Sequence, residues 1–315
     1  MKIAIIGGAG FIGTNLAISI ANESISAGNE LTVIDRDDAY FKTLKALNLP
    51  NTKFKAYPFS VDADFDEQVK DQDVIYHLAS TIIPGDSNKN IPEELDANVI
   101  ASAKLFDACV RQHVKKVVFI SSGGAVYGKK GNCPIKEDNV TYPITSYGIQ
   151  KIAIEKLLYL YHYQKGLDYR IIRLANPYGP YQRPNGRLGV VTTFVYKALT
   201  DGVLEVYGDG SVVRDFIYID DAIRGIRNIV NGENDLRIFN LGSGKGTSVK
   251  QVIETIQNTL EEDVSVQYIA ARSTDVPQNY LDISRYEGIY GKLAPLTLAE
   301  GVRKTADFMK KTGMV

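Results

Sequence analysis

Apolar and polar positions along the first half of the chain alternate in blocks. Lys2 to Ile6 is a short apolar run rich in β-branched residues, and after the glycines beyond it, apolar positions recur at helical spacing through Leu16, Ile20 and Ala21. Leu31 to Ile34 predicts a second strand, and further strands are expected near Lys53 to Tyr57, at Val74 to His77 and at Lys116 to Ile120. The spacing between them predicts helices, one running to about Lys70 after the acidic turn Ser60-Val61-Asp62-Ala63 and one from about Leu95 to Gln112. Strands separated by helices predict an α/β fold built on a doubly wound parallel sheet. From Asn176 the alternation loosens, and Pro177, Pro180, Pro184, Gly186 and Gly189 cluster in a long loop of the kind that carries function in compact proteins. A helix around Val190 to Leu199, a strand Leu204 to Tyr207 and a helix from about Ser248 to Leu260 predict a second, smaller α/β domain. The expected division is 1–175, with 216–241 returning to it through Arg214 to Asp221 and the strand Ile238 to Leu241, and 176–215 with 242–315 as the second domain.

Composition narrows the class of partner. With 315 residues, 44% hydrophobic and 23% charged, the chain is of ordinary globular character, long enough for one large domain or two smaller ones. A formal net charge of -1 and the lack of long basic runs argue against a general nucleic-acid or membrane-surface binder and favour small molecules. Cys109 and Cys133 fit no metal spacing and no disulfide framework, so no metal is expected and a reducing compartment is the simpler reading. Met1 to Ala4 runs straight into the first strand and no run of about 18 apolar residues occurs, so a cytoplasmic protein is expected.

The candidate chemistry lies at strand ends. Gly7-Gly8-Ala9-Gly10-Phe11-Ile12-Gly13 stands between the first strand and the first helix, the context in which such glycines hold a dinucleotide. Gly7 permits the turn, Gly10 lets backbone approach a pyrophosphate, Gly13 lets helix and strand pack closely, and the helix N-terminus offers N–H groups to the phosphates. Asp35, closing the second strand, suits the adenosine ribose hydroxyls and repels a 2′-phosphate, which favours NAD; Arg36 beside it weakens that preference. The fifth strand delivers Ser121 and Ser122 toward the cofactor crevice. Ser146-Tyr147-Gly148-Ile149-Gln150-Lys151 then sets a phenol and an ammonium four residues apart on one helix face, where the positive charge favours the phenolate. His77, at the end of an apolar strand, reads as a packed core residue.

Taken together, the glycine turn, Ser121-Ser122 with Val126-Tyr127-Gly128, Ser146-Tyr147-Gly148 with Lys151, Leu174 to Pro180 and Arg214 to Asp221 resemble the extended short-chain dehydrogenase/reductase family, and within it the NAD-dependent nucleotide-sugar epimerases of the UDP-glucose 4-epimerase type. The resemblance implies a Rossmann-type cofactor domain with NAD bound by Gly7, Gly10, Phe11, Ile12, Gly13, Asp35 and Arg36. It places Asp62 and Ala63 at the adenine, and Leu78, Ala79, Ser80, Asn98, Ser121 and Pro177 along the cofactor. It implies that Lys151 binds the nicotinamide ribose and that Tyr147 is the catalytic base. Many relatives carry the catalytic Ser or Thr where this chain has Gly123; others use the preceding position, which implies Ser122 here. On the substrate side the resemblance implies Arg214 and Arg272 at the diphosphate, whose oxygens a guanidinium fork matches. It implies Asp275 at the nucleoside ribose, Asn176 in contact with the sugar diphosphate, and Val190 at the substrate. Asn279 falls where relatives vary the bulk of the sugar pocket. The resemblance further implies a UDP-hexose substrate, a role in carbohydrate metabolism such as polysaccharide biosynthesis, and a homodimer through helices near Leu95 to Gln112 and Ile152 to Tyr163.

Rival functions share the fold. A nucleotide-sugar 4,6-dehydratase needs an acid and a base, which relatives carry just before Val-Tyr-Gly, where this chain has Gly124 and Ala125. A reductase is disfavoured by Asp35, and a silent NAD-sensing protein by the intact Ser122, Tyr147 and Lys151.

Overall fold

The computed structural model describes the chain except residues 83, 84, 86, 130, 131, 185–188, 201 and 272–275, and the side chains of 25 and 26. Strands and helices alternate as β1 (Lys2–Ile6), α1 (Phe11–Ala27), β2 (Glu30–Asp35), α2 (Lys42–Ala46), β3 (Thr52–Ala56), α3 (Phe65–Val69), β4 (Val74–His77), α4 (Ile91–Leu95), α5 (Ala101–Arg111), β5 (Lys116–Ser122), α6 (Ser146–Lys165) and β6 (Asp168–Leu174). Next come β7 (Asn176–Tyr178), α7 (Val190–Thr200), β8 (Val203–Tyr207), β9 (Val213–Arg214), β10 (Phe216–Tyr218), α8 (Ile219–Asn231), β11 (Ile238–Leu241), β12 (Thr247–Ser248), α9 (Val249–Leu260), β13 (Ser265–Ile269), β14 (Gln278–Asn279), α10 (Ser284–Tyr290) and α11 (Leu298–Lys311). By their internal contacts the residues form two compact units, Met1–Ser121 with Thr145–Ile172 and Glu233–Ile238, and Ser122–Ile144 with Arg173–Gly232 and Phe239–Val315.

The first unit is organised by a parallel sheet which, among the described residues, has seven strands in the order β11-β6-β5-β4-β1-β2-β3. β1 pairs in parallel with β2 (Ile5 beside Val33) and with β4 (Ile5 beside Tyr76), so the strand that opens the chain lies inside the sheet. A strand covered on both faces must be apolar throughout, and Ile3, Ala4, Ile5 and Ile6 are all buried. The core between sheet and helices includes Ile6, Ile75, Leu105, Phe106, Phe119, Ile154 and Leu158. This is the doubly wound Rossmann-type architecture expected of the sequence. The helix expected from Leu95 begins earlier, at Ile91, and passes through a wide turn of π type at Asp96–Ile100 before α5.

The second unit uses short pairings: β7 with β10 and β8 with β13, both parallel, and β9 between β12 and β14. The segment after β5 belongs here because Gly123 N–H donates to the Leu174 carbonyl at 2.8 Å and Arg173 donates to the Glu137 carbonyl at 3.0 Å. A buried network completes it: Tyr127 Oη donates to Asn240 Oδ1 at 2.6 Å and accepts from Arg173 at 3.0 Å, and Asn240 Nδ2 donates to the Ile135 carbonyl at 2.7 Å. Among the described residues no helix is long and apolar enough to cross a membrane.

Candidate active site

In the first unit the glycine turn is shaped for a phosphate. Gly7 has φ +80°, and a Cβ there would meet the Ala79 nitrogen at 2.6 Å. A Cβ on Gly13 would lie 2.6 Å from the Gly8 Cα, so Gly13 lets α1 start hard against the turn, while Gly7 lets the turn lie against the segment after β4. Gly10 is different, since a Cβ there would meet only the Gly7 carbonyl at 3.6 Å, and the residue faces open space. Gly10 also caps α1 with no side-chain hydrogen bond and no acidic residue stands in the first turn, so the N–H groups beside Phe11 and Ile12 point outward with no carboxylate competing for an anion. Asp35 accepts from the Ala9 N–H at 2.9 Å and from the Arg36 N–H at 2.9 Å, which joins the carboxylate that closes β2 to the turn itself. Arg36 lies over the Tyr40 ring, 4.8 Å from its centre.

Further along the sheet edge, Asp62 and Ala63 come after β3 and line an open cavity of about 370 Å³, with Lys104 and Arg111 on its other wall. Tyr147 and Lys151 do not line it. Leu78, Ala79 and Ser80 come after β4, where the Leu78 N–H continues the ladder to the Ile6 carbonyl at 2.9 Å. Asn98 stands in the π-type turn, accepting from the Thr81 N–H at 2.9 Å and donating to Thr81 Oγ1 at 2.8 Å, so it latches the segment that leaves β4. His77 is fully buried, as its apolar strand implied. Ser102 Oγ donates to the Asn98 carbonyl at 2.5 Å, so it accepts from His77 Nε2 at 2.9 Å, which assigns the proton to that nitrogen. Burial then draws the His77 pKa down to about 3, with the Lys151 charge adding to the effect.

Tyr147 lies in the first turn of α6, whose N-terminus is capped by Thr145 accepting from the Gly148 N–H at 3.2 Å, with Asn88 accepting from the Ser146 N–H at 2.7 Å. One turn on, Lys151 is 5% exposed; its Nζ donates to the Ile120 carbonyl at 3.1 Å and lies 4.7 Å from the Phe119 ring centre and 5.5 Å from that of Tyr147. Burial lowers its pKa from 10.5 to about 8, opposed by the charge of Glu155. The structure thus brings the phenol and the ammonium together as their spacing implied. Ser121 turns its hydroxyl to Glu155 Oε1 at 2.5 Å.

In the second unit Ser122 opens the turn in which its carbonyl accepts from the Val126 N–H at 3.3 Å. Gly123 has no room for a side chain, because a Cβ there would meet Leu281 Cδ1 at 2.6 Å and the Arg173 carbonyl at 3.1 Å. Gly124 leaves a notch whose nearest groups are Asn176 Oδ1, 3.8 Å from where its Cβ would be, and Ser122 Oγ at 3.9 Å. Asn176 is set by Asp215, whose carbonyl accepts from the Asn176 N–H at 3.0 Å and from its Nδ2 at 2.8 Å. Asp215 is itself fully buried, its carboxylate accepting from Ser243 N–H and Oγ, both at 2.7 Å, and from Leu281 N–H at 3.2 Å; burial still pushes its pKa up. Pro177 accepts from Gln182 Nε2 at 3.3 Å, Val190 starts α7, and Asn279 is buried with its amide on the Gly123 carbonyl at 3.3 Å. Arg214 is oriented by donating to the Val213 and Val276 carbonyls at 2.9 and 2.6 Å. Arg272 and Asp275 lie outside the described residues. Glu155 does not stand out in the sequence, its signal being its place one helical turn beyond Lys151, and Asp215 was read only as part of the Arg214 to Asp221 motif, with no role of its own.

Residues 3–242 match the pattern of the NAD dependent epimerase/dehydratase family, and the chain belongs to that family, with NAD as its cofactor. It is 31% identical over 317 residues to the UDP-glucose 4-epimerase of Mycolicibacterium smegmatis, covering 98% of this chain and 99% of that one. Its fold is similar to the crystal structure of UDP-glucose 4-epimerase with UDP-glucose from Thermotoga maritima, with a TM-score of 0.87, 30% identity and 99% of each chain covered. It is also similar to the UDP-glucuronic acid 4-epimerase from Bacillus cereus in complex with UDP-glucuronic acid and NAD, with a TM-score of 0.89, 25% identity and coverage of 99% of this chain and 100% of that one.

Proposed function

We propose that the chain inverts C4 of a UDP-hexose, whether glucose or galactose or an N-acetyl or uronate analogue, through a transient 4-keto sugar. The observation that carries this reading is the turn after β5: between Ser122 and Tyr127 it holds two glycines, an alanine and a valine, so the positions where dehydratases resembling this chain carry an acid and a base have no proton to give or take. The UDP moiety is supported by the two similar structures, both of which hold UDP-sugars.

The residues present fit NAD. The exposed Gly10 and the α1 N-terminus would hold the pyrophosphate, Asp35 the adenosine ribose, Asp62 and Ala63 the adenine, and Tyr147 and Lys151 the nicotinamide ribose. When bound, NAD supplies a hydride acceptor that gives the hydride back, so the overall reaction has no net redox change. Tyr147, assisted by Ser122, takes the proton of the sugar 4-hydroxyl and later returns it. Lys151 favours the phenolate by its charge. Arg214 and Arg272 meet the diphosphate with their forked donors, Asn176 contacts the sugar diphosphate beside them, Asp275 meets the nucleoside ribose, and Val190 the substrate. Assembly as a homodimer is part of the same reading, supported by exposed Ile100, Tyr159, Leu160 and Tyr163 on the helices expected to pair.

The test is a panel of UDP-, GDP-, CDP- and dTDP-sugars offered without added cofactor. A 4-epimer formed from a UDP-sugar alone is the expected product. A 4-keto-6-deoxy sugar, or turnover only with added reduced nicotinamide, would overturn the reading.

A further inference from the structure

One helical turn beyond Lys151, α6 carries Glu155, and the two side chains are 5% and 3% exposed. Positions four apart share a helix face. Both are anchored by consecutive residues of β5: Lys151 donates to the Ile120 carbonyl at 3.1 Å, and Glu155 accepts from Ser121 Oγ at 2.5 Å. An ammonium enclosed in this way loses its hydration, and without a nearby anion it tends to give up its proton.

We propose that Glu155 is a positioning residue for Lys151: its carboxylate, held by Ser121, is the counter-charge that keeps the buried ammonium protonated and in place beside Tyr147. The inference rests on the reading of Lys151 as the group that serves Tyr147 and the cofactor ribose. The groups that face Lys151 from the packed elements are Tyr147 and Glu155 on α6, the Phe119 ring and Ile120 carbonyl on β5, and His77 on β4. His77 is neutral above about pH 3 and adds no charge at working pH. Glu155 is the charge that raises the Lys151 pKa against the burial that lowers it. Loss of the carboxylate therefore discharges Lys151 at lower pH, which removes both its pull on the phenolate and its grip on a ribose.

The experiment is a pH titration of the full chain labelled with ¹³C at the lysine ε-carbons and monitored by NMR, with the Lys151 signal assigned by its loss in Lys151→Met. The wild-type midpoint is expected near about 8. Glu155→Gln should lower it by about one unit, the smaller end of the effect of a close opposite charge, and Glu155→Asp, which keeps the charge, should recover most of that fall. The alkaline limb of kcat/KM should move down with it. A Lys151 midpoint unmoved in Glu155→Gln overturns the proposal. Should that variant be too unstable to titrate, thermal melts carry the test: Glu155→Gln is expected to lower the melting temperature less in the Lys151→Met background than in the wild type, and equal destabilisation in both backgrounds overturns the coupling. The titration reads the charge on Lys151 whatever the substrate proves to be, so it fails or succeeds independently of the sugar panel.

Discussion

Tyr147 is half-buried in the first turn of α6, and its neighbours divide the labour around it. Lys151 is fixed from below by the Ile120 carbonyl and Glu155 by Ser121, so the phenol is the group of this set suited to exchanging a proton with substrate. Tyr147→Phe keeps the ring over Lys151 and removes only the hydroxyl. Turnover is expected to fall by roughly 10² to 10⁴ as for loss of a general acid-base group, while NAD remains bound, read from the nucleotide released on denaturing the purified protein. Turnover close to wild type would remove the phenol from the mechanism. The adjacent serines make a sharper comparison. Ser121 Oγ is engaged by a buried carboxylate, whereas Ser122 Oγ borders the notch at Gly124 together with Asn176. Ser122→Ala should therefore reduce kcat well beyond Ser121→Ala, and the reverse order would shift the catalytic hydroxyl back by one residue.

At the scale of elements, β4 ends in a histidine that the fold holds neutral. His77 is enclosed by the rings of Phe59, Phe106 and Phe119, with centroids 5.0, 6.2 and 5.2 Å away. Its pKa is depressed from 6.5 to about 3 in the fold, so between those values the unfolded chain binds a proton that the native chain does not. Stability is then fully present above pH 6.5 and is lost as pH falls toward 3, by at most about 1.4 kcal/mol per pH unit. In denaturant unfolding, the cost of His77→Leu should be smaller at pH 5 than at pH 7.5, by about 2 kcal/mol; a cost independent of pH would show that His77 does not titrate on unfolding. This strand, its partners β1 and β5, and β2 on the far side of β1 were legible in the sequence because a sheet buried on both faces demands unbroken apolar runs. β6 was not, because Arg170 and Arg173 interrupt its pattern; both are buried, Arg170 donating to Asp168 and to the carbonyls of Tyr169 and Asn234, and Arg173 to Tyr127 and the Glu137 carbonyl. Strands of two residues such as β9, β12 and β14 have no period to read. Glu155 was hidden for a related reason, since an acidic residue on a helix reads as solvated until its burial is seen. Gly123 was legible only as a missing hydroxyl, and the structure gives the cause in Leu281 and the Arg173 carbonyl, which occupy the space a side chain would need.

Across the whole molecule, the family match runs through residues 3–242, which takes in the glycine turn, Tyr147, Lys151 and Arg214, while Asn279 and the segment around it lie beyond. The proposed reaction starts with oxidation at C4 of a nucleotide sugar, and the steps after that oxidation distinguish an epimerase from a dehydratase. In an epimerase the hydrogen taken from C4 goes back to C4 on the opposite face of the same molecule, which requires that the keto sugar turn over in the pocket, that Tyr147 return its proton and that water stay out between the two transfers. In a 4,6-dehydratase the hydrogen is delivered to C6 after water has left, and C5 takes a proton from solvent. That second course needs proton-transfer groups at the turn after β5, where Gly124 and Ala125 stand. A UDP-hexose carrying deuterium at C4 is therefore expected to yield a 4-epimer with the label still at C4, and in deuterated water an unlabelled substrate should gain no deuterium on carbon. The measurement is NMR or mass spectrometry of the isolated sugar, and label at C6 would replace the epimerase reading with the dehydratase one.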